Sequence, residues 1–209
     1  MKELSQAEAM RLFRTHEAVS SCFEQDDLAF SAYQYQKGEL LCSPHHPLQK
    51  MLFVVKGTVR IYALGKDGSL SPVHLMTAPG MLGDLEFCCG RVYSLYVEAQ
   101  TPTTCLALAF EENRARLEND RHFLHALLRS FTQKFELFTA IHSESETVEE
   151  KVLFYLSQMC PNQEFKGVET AAFQLGCSRR QLQRVLKDLC AQQKIKKLGK
   201  GWYRLKTKC

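Results

Sequence analysis

The stretch TAAFQLGCSRRQLQRVLKDLC, residues 170–190, sets two helical patterns on either side of a glycine. Thr170 reads as the N-cap of a short first helix, and Gly176 as the left-handed residue that ends it. Ser178, with Gln181 three residues on, reads as a capping box opening a second helix. Leu182, Val185, Leu186 and Leu189 then fall at i, i+3, i+4 and i+7, the spacing of a buried stripe. At about 100° per residue, Arg179, Arg180, Gln183, Arg184 and Lys187 lie on the opposite side. Such a helix suits the major groove of a duplex, where N-terminal side chains reach base edges and arginine grips guanine O6 and N7. A solvated surface helix would carry the same charge, but the order helix, glycine turn, capped helix favours nucleic acid. So does the segment that follows, KIKKLGKGWYRLK at 194–206. Ile195, Leu198, Trp202, Tyr203 and Leu205 alternate around Gly199-Lys200-Gly201, which predicts a two-stranded wing holding lysines such as Lys200 near phosphates.

Charge agrees with this reading. Residues 165–209 carry twelve Lys or Arg against Glu169 and Asp188, a net +10, which leaves −6 on the first 164 residues of a chain of net +4. A basic module appended to a mildly acidic one is the electrostatic footprint of a nucleic-acid binder, because Lys and Arg displace counterions condensed on phosphates. With 209 residues, 45% of them apolar, disorder is excluded and one large or two small domains are expected. The longest apolar runs, MLFVV and CLALAF, are far below the roughly 18 residues of a membrane span, and residues 1–20 lack the apolar stretch of a secretory signal. Nine cysteines without framework spacing then point to a reducing cytoplasm.

Upstream, residues 5–20 are helical in pattern, and from Phe30 to Phe110 the period becomes two. LFVV stops at Lys56-Gly57. TVRIYA follows with Val59, Ile61 and Ala63 on one face, and GKDG at 65–68 is a hairpin turn. In YSLYVEA, Tyr93, Leu95, Val97 and Ala99 share a face. About eight short strands predict a small barrel or roll. From Asp120 the period changes again: Leu124, Phe131 and Phe138 repeat every seven residues with Leu128 and Phe135 between them, a coiled-coil seam. A helix packing a single stripe on its own roll is the alternative. Polar HSESET at 142–147 reads as a hinge, followed by a helix bearing Val148, Val152, Tyr155, Leu156 and Met159 that Pro161 ends. The expectation is an α+β chain: a β-roll over 1–118, a dimerisation helix and hinge over 119–146, and a winged helix-turn-helix over 147–209.

Taken together, KGTVRIY, a Gly-acid-Leu turn, a long apolar helix, and GCSRRQLQRVLKDL followed by GKGWYRL resemble the Crp/Fnr family of bacterial transcription regulators over nearly the whole chain. The turn GDLE is similar to that of the YeiL-like branch. The resemblance implies an N-terminal sensor roll of the cyclic-nucleotide-binding (jelly-roll) type, a dimerisation helix, and a C-terminal winged helix-turn-helix binding a near-palindromic site as a homodimer. Implied partners are double-stranded DNA, a second copy of the chain and RNA polymerase, with no membrane. Arg179 and Arg184 match the family's base-contacting arginines. Arg180 stands where glutamate is usual, so an acidic reader of cytosine has become a basic reader of guanine or phosphate.

In cyclic-nucleotide binders of this family a Gly-Glu-Leu turn takes the ribose and an Arg-Ser pair clamps the phosphate. Here the matching residues are Gly83, Asp84 and Leu85, then Tyr93 and Ser94. Asp84 is one methylene short and the arginine is Tyr93, so the resemblance implies that cyclic AMP is not bound in the usual way. Arg91 would substitute if its strand extended that far. Cys88-Cys89, with Cys22 and Cys42, leaves an iron–sulfur or other redox cofactor, or a metal-responsive roll, as an open alternative, although Cys88 and Cys89 would diverge on a strand. His45-His46 and His74 raise a cupin-like metal enzyme, but there is no His-x-His. No metal site or catalytic constellation is therefore assigned, and the chain reads as a regulator rather than an enzyme.

Overall fold

The computed structural model of the chain describes residues 1–25, 27–64, 70–90, 95–142 and 147–206. They form two compact units, Met1–Lys134 and Phe135–Cys209, of mixed helix and sheet. In chain order the first contains strand β1 (Lys2–Glu3), helices α1 (Gln6–Thr15) and α2 (Glu17–Ser20), and strands β2 (Ser31–Tyr35), β3 (Leu40–Cys42), β4 (Lys50–Lys56), β5 (Thr58–Leu64), β6 (Leu70–Thr77) and β7 (Gly80–Leu82). Helix α3 (Asp84–Cys89), strands β8 (Tyr96–Ala99) and β9 (Thr103–Ala109), helix α4 (Phe110–Asn119) and the long helix α5 (Arg121–His142) follow, α5 crossing the boundary after Lys134. The strands make two antiparallel sheets, ordered β1-β2-β9-β4-β7 and β3-β8-β5-β6.

The central strands of the first sheet are buried on both faces. Leu52 and Val54 of β4 and Cys105 and Ala107 of β9 pack inward on Val59, Ile61, Met76, Val97 and Ala99 of the second sheet. Met51 and Phe53, with Leu106 and Leu108, pack outward on helical residues Phe13, Val19, Phe123, Ala126 and Leu127. Both faces lose water, so these strands read in sequence as continuous apolar runs instead of alternating. Rings of Phe13, Phe23, Phe30, Phe53 and Phe123 interleave in the outer core, Phe13 stacking on Phe30 at 4.6 Å between centroids.

Several expectations change at this level. Ala63 does not continue the buried face of Val59 and Ile61, because the β5–β6 register shifts between Ile61 and Tyr62; Tyr62 is buried instead, stacked on Tyr96 at 5.3 Å. The GKDG turn lies outside the described residues. FEENRARLEN, unassigned in sequence, is α4; its stripe is weak because Asn113 and Leu117 are its only buried residues. Asp120 both ends α4 and opens α5: its carboxylate accepts the N–H of Phe123 at 2.9 Å and that of Glu24 at 2.9 Å.

The second unit contains α6 (Val148–Phe154), passing into a wider π-type turn over Tyr155–Met159, then strand β10 (Glu164–Lys166), helices α7 (Val168–Gln174) and α8 (Arg179–Ala191), and strands β11 (Ile195–Gly199) and β12 (Trp202–Leu205). A reciprocal Thr147–Glu150 capping box opens α6. Its core is Val152, Leu156, Phe165, Ala171, Ala172, Leu175, Leu182, Leu186, Leu189 and Ile195. The wing has three strands, not two, in the order β10-β12-β11. Three residues are too few for a periodic signal, and what recruits β10 is distant: Arg204 pairs with Glu164 at 2.8 Å, and the Phe165 and Tyr203 rings lie 5.6 Å apart.

Candidate nucleic-acid interface and effector cassette

Helix α8 is seated by its apolar stripe. Leu182, Leu186 and Leu189 are at most 1% exposed, and Val185 packs partly against the same core. Burying three leucines is worth roughly 1.5–3 kcal/mol each, which fixes the helix's rotation and so faces Arg179, Arg180, Gln183, Arg184 and Lys187 to solvent. Ser178 Oγ accepts the N–H of Gln181 at 3.1 Å, the first half of the predicted box. Gly176, at φ 61°, makes the turn before it. Thr170 is not the cap of α7. That helix starts three residues earlier with Gly167 at the N-cap (φ 104°), because the Gly167 N–H donates to Gly201 O at 2.8 Å and ties the helix start to the wing turn.

The exposed cations are not equivalent. Arg179 donates to Glu169 at 2.7 Å, both side chains mostly in solvent, a pair sequence reading missed because its partners sit on different helices. Among the described residues no ion pair engages Arg180, Gln183, Arg184 or Lys187. Lys200 is exposed at the tip between β11 and β12. Gln183, Arg184 and Lys187 share the outward side of α8, with Arg179 and Arg180 at its N-terminal end, where donors and positive charge reach furthest.

The cassette in the first unit is built differently from its sequence appearance. Gly83 is left-handed at φ 88°, and a Cβ there would meet Lys50 O at 2.7 Å. Packing of the turn against β4 therefore suffices to require glycine. Asp84 begins helix α3 and is 3% exposed. One carboxylate oxygen accepts Ser130 Oγ at 3.0 Å and the Lys134 ammonium, and the other accepts the Leu85 N–H at 3.2 Å. Lys134 also donates to Met81 O at 2.9 Å. The cassette's acid is thus engaged by α5. Arg91, Tyr93 and Ser94 lie outside the described residues. Cys88 and Cys89 are on α3, not on a strand, and Gly90 (φ 60°) caps it.

Beside α3 opens a groove of about 510 Å³ whose charged lining is Lys50, Glu86, Glu111, Glu112 and Arg114. Acids outnumber bases there, which does not suit a phosphate. Burial pushes the Glu86 carboxyl up, with Asp84 adding to the effect. His74 of β6 is held down at about 4, first by burial and then by Lys134. His45 and His46 sit exposed in the turn closed by the Ser43–His46 bridge. Among the described residues no three His, Cys, Asp or Glu side chains converge to hold a metal, and no helix is long and apolar enough to cross a membrane.

On α5, two faces are occupied differently. Phe123, Ala126 and Leu127 are buried on the roll, as Ser130 and Lys134 are tied to Asp84. About a third of a turn away, at 100° per residue, Leu124, Leu128 and Phe135 are 36%, 63% and 68% exposed. Phe131, expected among them, leans partly into the roll's core, and the side chain of Phe138 lies outside the described residues.

A two-sheet roll with a Gly-acid-Leu turn defines a class of protein module: residues 33–120 match the family model of the cyclic nucleotide-binding domain. The chain as a whole has the fold of solved Crp/Fnr regulators. It is similar to FixK2 from Bradyrhizobium japonicum, at 18% identity and a TM-score of 0.71 over 86% of this chain and 94% of that one. It is also similar to the c-di-GMP-responsive global regulator CLP from Xanthomonas campestris, at 17% identity and a TM-score of 0.63 over 96% and 100%. A third is TTHA1359, a CRP/FNR-family transcriptional regulator from Thermus thermophilus, at 16% identity and a TM-score of 0.60 over 84% and 93%. A comparison of the sequence with curated proteins finds no match.

Proposed function

We propose that the chain is a sequence-specific DNA-binding transcription regulator of the Crp/Fnr type. In this reading residues 1–118 are a sensor roll, 119–146 a dimerisation helix and hinge, and 147–209 the DNA-binding module. The observation that carries it is α8, whose leucine stripe is buried while Arg180, Gln183, Arg184 and Lys187 stay exposed and unpaired among the described residues. With Ser178, Arg179 and Lys200 these form a basic surface of the kind that reads a major groove and grips the flanking phosphates. Selection of binding sites from random duplexes by the full chain tests it. An enriched near-palindromic site bound with steep salt dependence supports the reading, and uniformly weak, sequence-blind binding sinks it.

The working form is a homodimer through α5. Leu124, Leu128 and Phe135 leave apolar surface exposed along one face, and a second copy of the same helix covers it with like residues. Leu128→Glu is expected to convert the dimer to monomer in sedimentation and to weaken DNA binding with it. A wild-type chain that sediments as monomer at micromolar concentration refutes this assembly. RNA polymerase as partner and the cytoplasm as location follow from the same reading.

Cyclic AMP is not the expected effector. The acid that should hold ribose is engaged by Ser130 and Lys134, and Tyr93 replaces the phosphate-binding arginine. Micromolar binding of cyclic AMP that depends on Arg91 would overturn this.

A further inference from the structure

The fold sorts its cysteines sharply. Cys22, Cys42 and Cys105 are buried, Cys160, Cys177 and Cys190 are half-buried, and among the described cysteines Cys88 and Cys89 alone are exposed. Burial pushes the Cys42 and Cys105 thiols up to about 12 and the Cys160 thiol up to about 11, which keeps them protonated and inert at neutral pH. Burial, then Cys89 and Asp84, push the Cys88 thiol up as well, so it is exposure that singles the pair out: among the described cysteines, a thiophilic reagent in solvent meets Cys88 and Cys89 first.

These two residues close α3 on a firmly held backbone. Phe87, immediately before them, is 4% exposed. Its ring lies 5.3 Å from Phe123 and 5.8 Å from Phe110, and its carbonyl accepts Arg114 Nη1 at 3.1 Å. Gly90, immediately after, stops the helix, and a Cβ there would meet nothing within 4 Å. Two consecutive exposed cysteines thus sit between an anchored residue and the glycine that stops the helix.

The question is which chemistry two thiols satisfy without further help. Among the described residues no three-ligand set surrounds them, so tetrahedral zinc and iron–sulfur clusters lack donors at this turn. A direct disulfide needs Cβ atoms about 3.5–4.5 Å apart, whereas consecutive side chains on a helix diverge by about 100°. A ligand that places one atom between the sulfurs relaxes that demand. We propose that Cys88 and Cys89 form a binding site for a monosubstituted trivalent arsenical, a ligand whose two exchangeable positions are filled by two thiolates. In the exchange R–As(OH)₂ loses both hydroxyls. Two As–O and two S–H bonds break, two As–S and two O–H bonds form, and two waters leave, with arsenic trivalent throughout. The site stands independently of DNA binding.

The test uses the reduced full chain, equimolar phenylarsine oxide and intact-mass spectrometry under non-denaturing conditions. One phenylarsenic per chain is expected. Because the second thiolate acts at high effective concentration, the adduct should withstand about a hundredfold excess of 2-mercaptoethanol, yet be removed by 2,3-dimercaptopropanol. C88S and C89S are each expected to lose that resistance, and the double variant to lose the adduct. Both positions are exposed, so serine leaves the fold intact. Absence of an adduct on the wild type, an adduct of equal resistance on the double variant, or a wild-type adduct stripped by monothiol as readily as from C88S each overturns the proposal.

Discussion

Replacing Lys134 by alanine tests how the cassette is held. Asp84 and Lys134 form an ion pair in which the carboxylate side chain is 4% exposed and the ammonium side chain 26%. Removing one partner of a buried pair costs about 3–5 kcal/mol because the other charge is left uncompensated. The two partners differ in that respect. Without Lys134 the carboxylate stays buried with Ser130 and the Leu85 N–H as its donors, so Lys134→Ala should cost about 3 kcal/mol, the low end of that range. Without Asp84 the ammonium keeps Met81 O and turns partly to water, so Asp84→Ala should cost about 2 kcal/mol. The double variant should cost about as much as the worse single one, a coupling of about 2 kcal/mol. Urea unfolding followed by circular dichroism measures all three, and Lys134→Ala should also lower Tm by about 9 °C, at about 3 °C per kcal/mol. Additive losses, or a Lys134→Ala cost below about 0.5 kcal/mol, would refute the view that this pair, rather than a ligand, is what Asp84 serves.

Four other outcomes are expected. Arg180→Glu should shift the selected half-site toward the one common to cyclic-AMP-type relatives, and an unchanged consensus in parallel selections would count against Arg180 as a base reader. Arg184→Ala should lower the slope of log K against log salt by about one phosphate's worth, which a titration across salt concentrations measures. His74 is held down to about 4 by burial and then by Lys134. With an unfolded value near 6.5, the native state binds fewer protons, so His74's contribution is present above about 6.5 and lost as pH falls toward 4, up to about 3 kcal/mol. His74→Gln should flatten stability over that window, and an unaltered pH profile would show that His74 does not titrate this way. Gly83→Ala should destabilise the roll by about 2 kcal/mol or more through its left-handed φ and the Lys50 carbonyl contact; near-wild-type urea midpoints would refute that account.

The sequence by itself determined what is local. Spacing of Leu182, Val185, Leu186 and Leu189, the Ser178 cap and the Gly176 turn specify α8 and its outward cations, because helix periodicity and capping act within a few residues. The same holds for the period-two runs of the roll and for the charge of the last 45 residues. Tertiary structure alone decided the rest. That Asp84 meets Lys134 rather than solvent, that Cys88 and Cys89 end a helix, that Glu164–Lys166 becomes a third strand of the wing, and that Arg179 pairs with Glu169 depend on partners brought together by packing. Helix α5 shows both at once. Its heptads are legible, but only the buried Phe123, Ala126 and Leu127 reveal which face the roll takes and which it leaves open. Periodicity records which residues share a face, while the partner of that face is set by apolar area removed from water across the whole unit.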